Sequence, residues 1–312
     1  MSDLWSELSR QLADRWLSLL VLPGVLYIMV ALAARTLGDQ HPLDVETFYQ
    51  RVAAEAKSPA VTSTGGQILI LLAILAAAAA AGVTAQAIGV LVERVTLASG
   101  WDRRPRAAAT ATRRWVEYRQ HRWDSADRDH ENQLQMALLP DPADRPAPAG
   151  RRLAVARRTR ISVERPERLT WTGDRIQAVV QRLDRDHQVD LAVVWPYLER
   201  ILSDDLRADI RDAQQATSKA ATLTGWALLY ALLTWWWWPA ALLAVIIAAT
   251  SRYRIRSSMD GYASLVEVAA RLYLPALATQ LSIDHAGPLD NALGTALTQH
   301  LRTVLPPPKT RP

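Results

Sequence analysis

The chain has 312 residues, of which 36 are basic and 31 acidic, for a formal charge of +5, and it contains no cysteine. The missing cysteines exclude disulfides, thiolate metal sites and cysteine nucleophiles. The basic balance points to an anionic partner, lipid or nucleic acid. Long charge-free runs alternate with Arg-dense segments, a contrast that marks a membrane protein rather than an ordinary globular one.

In residues 1–15, Leu4, Trp5, Leu8 and Leu12 recur at helical spacing, which predicts an amphipathic helix lying on the membrane surface. Leu17 to Ala34 follows without a charge. Its eighteen residues reach about 27 Å, enough for a hydrocarbon core of about 30 Å. A first span over 16–35 is therefore predicted, with Trp16 at the interface. Ala31-Leu32-Ala33 offers the spacing of a signal-cleavage site. The leading segment carries Asp3, Glu7 and Asp14 and is not clearly basic, so an uncleaved helix is the expectation. Residues 36–65 read as an exported loop with one short helix, Asp44 to Ala56.

The second span, 66–93, contains the charge-free run Gln67 to Val92. Ala78/Gly82 and Ala85/Gly89 are small residues four apart, a spacing that lets another helix approach closely. Gln86 is the one strong hydrogen-bonding side chain deep in this run. It would hold helices together or line a polar path.

The run Thr222 to Ala249 is too long for one untilted helix, at about 42 Å. A hairpin resolves this, turning at Trp235, Trp236, Trp237 and Trp238, where indole suits the interface. Pro239 then opens the return helix, where its missing N–H costs nothing. Spans over 220–238 and 239–254 follow. The hairpin keeps Lys219 on the same side as Arg252, Arg254 and Arg256, whereas a single span would separate them.

With four spans, 33 of the 36 basic residues fall on one side. The positive-inside bias then places both termini and the large middle region in the cytoplasm of a bacterial inner membrane. The expected fold is all-α and polytopic, with a helical cytoplasmic region. That region divides into a basic helical segment (94–139), a linker (140–165) and a helical unit (166–219). The linker is suggested by Pro140, Pro142, Pro146, Pro148 and Gly150. C-terminal helices (255–304) and a disordered tail (305–312) complete the chain.

Residues 100–160 carry fourteen Arg and eight acids. Arg103, Arg104 and Arg106 sit close to the second span and suit anionic lipid. Trp115, Tyr118 and Trp123 interleave with arginines, as on a nucleic-acid surface, but the acids break up any continuous positive track, which disfavours nucleic acid. Stripes at helical spacing run through Ile176–Leu183, Leu191–Leu202 (kinked or restarted at Pro196), Tyr262–Tyr273 (up to Pro275) and Leu289–Leu301. The helix opening at Ser203-Asp204-Asp205 has a serine cap and early acids, and it is long enough to continue into the third span.

His121, Asp124, Asp127, His130 and Glu131 form the densest polar constellation. They lie on one helix, which reads as a solvated face rather than a metal site. Neither a phosphate-cradling Gly-rich loop nor a hydrolase or zinc-protease motif occurs in the sequence, and neither an enzyme nor a cofactor is expected. Three stretches, Arg15 to Gly24, Val189 to Leu198 and the Trp-rich hairpin, resemble multi-pass membrane proteins common in high-GC Gram-positive bacteria. No activity is established for that group, so the resemblance implies topology and nothing about mechanism.

The expected function is a non-enzymatic membrane scaffold that contacts lipid and docks a cytoplasmic protein or another subunit through 166–219 and 262–304. The alternative is an oligomeric channel or pore-forming effector, drawn from the small-residue second span and Gln86.

Overall fold

In a computed structural model, the described residues are 22–38, 63–97, 106–139, 147–285 and 287–304, with scattered positions between 44 and 54. Most of these residues are helical, with no strand among them. The helices are α1 (Leu22–Leu37), α2 (Thr64–Leu97), α3 (Arg106–Ala137), α4 (Pro148–Ile161), α5 (Trp171–His187), α6 (Leu191–Ile201), α7 (Asp204–Leu233), α8 (Pro239–Gln280) and α9 (Asn291–Val304). The helix expected over 1–15, Trp16, most of Asp44–Ala56, Arg103, Arg104 and the tail 305–312 lie outside the described residues.

Two sequence expectations need correction. Residues 148–161, assigned above to a linker, form α4 and pack along α3. Pro148 opens this helix, a position where proline is tolerated because the first N–H groups have no intrahelical partner. Pro275 does not end the preceding stripe either, since α8 runs through it to Gln280. The lost hydrogen bond is outweighed by burial: Leu274, Leu277 and Ala278 on either side are all inside the core.

The chain divides into two units. The first contains residues 1–93 and 218–254. Its core gathers Ala85, Trp226, Leu229, Tyr230, Leu233, Ala240 and Ala244, with Tyr27, Val30 and Ile88 packed against them. α2 is the one helix among the described residues long and apolar enough to cross a membrane, and only 17% of its most apolar stretch is buried. That low burial separates it from the core helix of a soluble protein. Apolar side chains also face outward on α1, α2, the end of α7 and the start of α8. Leu26, Met29, Leu69, Leu72, Val83, Leu228, Leu232, Leu242, Val245 and Ile246 are all exposed.

The second unit contains residues 94–217 and 255–312. One hydrophobic core joins α5, α6, the start of α7, the later part of α8, and α9. Val179, Leu183, Val194, Leu198, Val266, Leu274, Leu297 and Leu301 are its centre. The helix ends are capped by side chains in the expected way. Thr170 accepts from the Gly173 amide at 3.1 Å, Asp190 from Ala192 at 3.1 Å, and Asp290 from Leu293 at 2.8 Å.

α9 reaches this core through Gly294. A Cβ there would overlap the His187 carbonyl oxygen and stand 2.8 Å from Val189 Cγ2. Gly294→Ala gains about 1 kcal/mol of helix propensity. It meets a backbone atom that cannot rotate away, at an overpacking cost of about 1–3 kcal/mol. The clash should win. Amide hydrogen exchange over 291–304 is expected to accelerate in the variant, and unchanged protection would show that α9 can shift without cost.

Candidate functional site

The second unit holds a buried charged cluster where α3, α4 and the loop 162–170 meet α5. α3 turns Trp115, Arg119 and Trp123, four residues apart, toward that loop. Trp115 Nε1 donates to Leu169 O at 3.1 Å and Trp123 Nε1 to Ser162 O at 3.1 Å. Between them Arg119 donates to Arg168 O at 2.6 Å and Ile161 O at 2.8 Å. Its guanidinium also lies 2.7 Å from Asp174 Oδ2, and the two side chains are 10% and 3% exposed. Asp174 Oδ1 accepts from the amides of Glu167 (2.9 Å) and Arg168 (2.7 Å).

One Arg–Asp pair thus satisfies four backbone groups, the last carbonyl of α4 and three groups of the loop that follows it. Burial pushes the Asp174 carboxyl up from its ordinary value, against the opposing pull of Arg119 and the two amides. These bonds fix the loop between α3 and α5.

Two further contacts tie the loop and α4 to other helices in the same unit. Thr170 Oγ1 donates to Thr96 O at 2.8 Å, near the end of α2. The Arg256 guanidinium stacks over Trp171 at 5.0 Å and donates to Arg160 O at 3.3 Å. Asp124 and Asp127, from the constellation noted above, are engaged by arginines: Arg165 binds Asp124 at 3.1 Å and Arg158 binds Asp127 at 2.8 Å. The Asp124 carboxylate pushes the Arg165 guanidinium up, chiefly through that hydrogen bond.

No family model, no curated protein and no solved structure matches the chain. Its sites are therefore read from geometry alone.

In the first unit the small residues mark where helices touch. Ala78, Gly82, Ala85 and Gly89 are buried along one stripe of α2. A Cβ on Gly24 of α1 would overlap the Ala78 carbonyl oxygen, and one on Gly225 of α7 would overlap that of Ala85. A Cβ on Gly89 would stand 2.8 Å from Thr222 Cα. α7 and α8 are joined by polar contacts. Ser251 Oγ donates to Ala220 O at 2.7 Å and lies 2.7 Å from the Thr224 hydroxyl. Gln86 lies outside the stripe and is exposed beside Val83 and Val90.

The four tryptophans occupy the turn between α7 and α8. Trp235 (85% exposed), Trp236 and Trp238 point outward, while Trp237 packs on the core. Arg252 and Arg254 lie exposed on α8, and Arg106 begins α3. Sequence reasoning missed the Arg119–Asp174 pair. The available signal was the spacing of Trp115, Arg119 and Trp123 on one helix face, each with a hydrogen-bond donor at its tip.

Proposed function

We propose that the chain is a four-span membrane scaffold whose second unit docks a cytoplasmic protein. The observation that carries the membrane reading is the inverted surface of the first unit: small residues and aromatics inside, Leu, Ile, Val and Trp outside. Residues 218–233 and 239–254 are each about 24 Å long as helices, short of a hydrocarbon core of about 30 Å. The exposed tryptophans of the turn make up the difference at one interface, and Arg252 and Arg254 suit the other.

Docking is supported by what the second unit leaves uncovered. The amphipathic faces of 166–219 and 262–304 are consumed in one intrachain core, so a partner would not use them. The end of α3 and the two residues after it instead expose Leu134, Met136, Leu138 (84%) and Leu139, an apolar stretch. A pore reading rests on Gln86, which lies on an outer face of α2 and would need neighbouring subunits to enclose it.

The absence of native cysteine makes the test clean. Single-cysteine chains, Trp236→Cys and Leu138→Cys, are treated with a membrane-impermeant maleimide in intact and permeabilised cells. Trp236→Cys should react from outside. Leu138→Cys should react only after permeabilisation, and more slowly than in purified protein because a docked partner covers it. Reaction of both from the same side removes the topology, and equal rates in cells and purified protein remove the docking.

A further inference from the structure

The outer face of α4 has no role in the scaffold just described. The helix carries five arginines and no acid over Pro148–Ile161. Its inner face is occupied: Ala154 is buried on α3, and Arg158 binds Asp127 and lies over Trp123 at 5.7 Å. Facing away are Arg152, Arg157 and Arg160, all exposed, interleaved with Leu153 (61% exposed) and Val155. A basic face with apolar side chains between the charges is the composition of a helix that lies on anionic lipid.

Where α4 ends supports that partner over others. Its last turn is held by Trp171, which donates to Thr159 O at 3.1 Å, and by Arg256, which donates to Arg160 O. Arg256 follows Arg254, the last residue of the first unit, almost directly in sequence. The loop after α4 is pinned through Thr170 to Thr96, which follows Glu93 equally closely. The residues that hold α4's C-terminal end, Thr96 and Arg256, thus lie close in sequence to the two points where the chain leaves the apolar segments. Charges within a Debye length of an anionic surface, about 8 Å, are the ones that gain from it.

We infer that Arg152, Arg157 and Arg160, with Leu153 and Val155, form a binding face for anionic phospholipid headgroups that holds the packed α3–α4 pair at the membrane surface. This rests on the membrane reading proposed above. The face has both parts such a contact needs: arginines for phosphate and apolar side chains for the acyl boundary.

The full-length chain carrying Ala156→Cys, an exposed position, is labelled with an environment-sensitive fluorophore and placed in nanodiscs. One set of discs is phosphatidylcholine alone and the other contains phosphatidylglycerol. Co-elution of protein with discs reads the membrane assignment by itself. The expected result is a blue-shifted emission, quenched by lipid-borne spin label, in phosphatidylglycerol discs only and reversed by salt. Each single Arg→Gln change should weaken the apparent affinity about fivefold, and the triple change about a hundredfold. None of the three guanidinium groups holds the fold in a described contact, so these variants should elute and melt as the parent does. Identical emission in both discs, a shift that persists in the triple variant, or a response to added single-stranded RNA but not to phosphatidylglycerol would each overturn the inference.

Discussion

Asp174→Ala is expected to destabilise the second unit by about 3 kcal/mol, the lower end of the cost of removing one partner from a buried ion pair. Three losses coincide at this position. The amides of Glu167 and Arg168 lose their acceptor, Arg119 keeps a buried charge with only carbonyl partners, and a small void opens. Asp174→Asn separates these effects. It retains an acceptor for both amides and fills the void, but it turns an NH2 donor toward the Arg119 guanidinium in place of the carboxylate oxygen, so it should cost less than alanine and still fall below wild type.

The expected order of stability, wild type above Asp174→Asn above Asp174→Ala, is checked by thermal unfolding of the full chain in nanodiscs, followed by hydrogen exchange over 162–170. The pH dependence has a definite sign. Burial raises the folded-state value of Asp174 above its unfolded one, so the folded state binds the proton more tightly. Its contribution to stability is fully present below the ordinary carboxyl value and is lost as pH rises through the raised value. Wild type should therefore gain on Asp174→Asn as the solution is acidified through that window. A gap that widens in the other direction would mean that Arg119 and the amides outweigh burial.

The legibility of this fold followed the physics of each element. The stripes of α5, α6 and α9 were readable because one side of each faces a single core, and burial on one side writes a helical period into the sequence. The start of α8 was readable because Pro239 suits the first turn of a helix and little else there. α4 was not readable. Its inner face uses Gly150, Ala154 and the stem of Arg158 rather than large apolar residues, so a packed helix carries the composition of a linker.

The Arg119–Asp174 pair was hidden for a different reason. Most of what it satisfies is backbone, and backbone carbonyls and amides leave no mark on residue identity. The spacing of Ala78, Gly82, Ala85 and Gly89 announces close approach but cannot name the partner. Ala78 meets Gly24, and Ala85 meets Gly225, from helices far apart in the chain.

The same substitution at two glycines should have opposite effects. Gly261 lies exposed on α8, with nothing within 4 Å of a new Cβ, so Gly261→Ala adds helix propensity and restricts the unfolded chain. It should stabilise by about 0.5–1 kcal/mol. Gly225→Ala gains the same propensity, but its Cβ overlaps the Ala85 carbonyl oxygen and stands 2.8 Å from the carbonyl carbon. Both clashing groups are helix backbone, so relief requires α7 to move away from α2.

That movement would also loosen Trp226, Leu229 and Tyr230, which pack beside this crossing, and the contact from the Tyr27 hydroxyl to Leu229 O. Between apolar helices in lipid, association depends on close packing, because the surrounding tails are equally apolar and no hydrophobic gain restores a separated pair. The loss should approach 3 kcal/mol, at the upper end for overpacking. Gly225→Leu should prevent assembly of the first unit. Thermal midpoints of Gly225→Ala and Gly261→Ala in the same lipid give the comparison directly. If both move upward, α2 and α7 do not approach closely at Gly225, and the packing of the first unit must be redrawn.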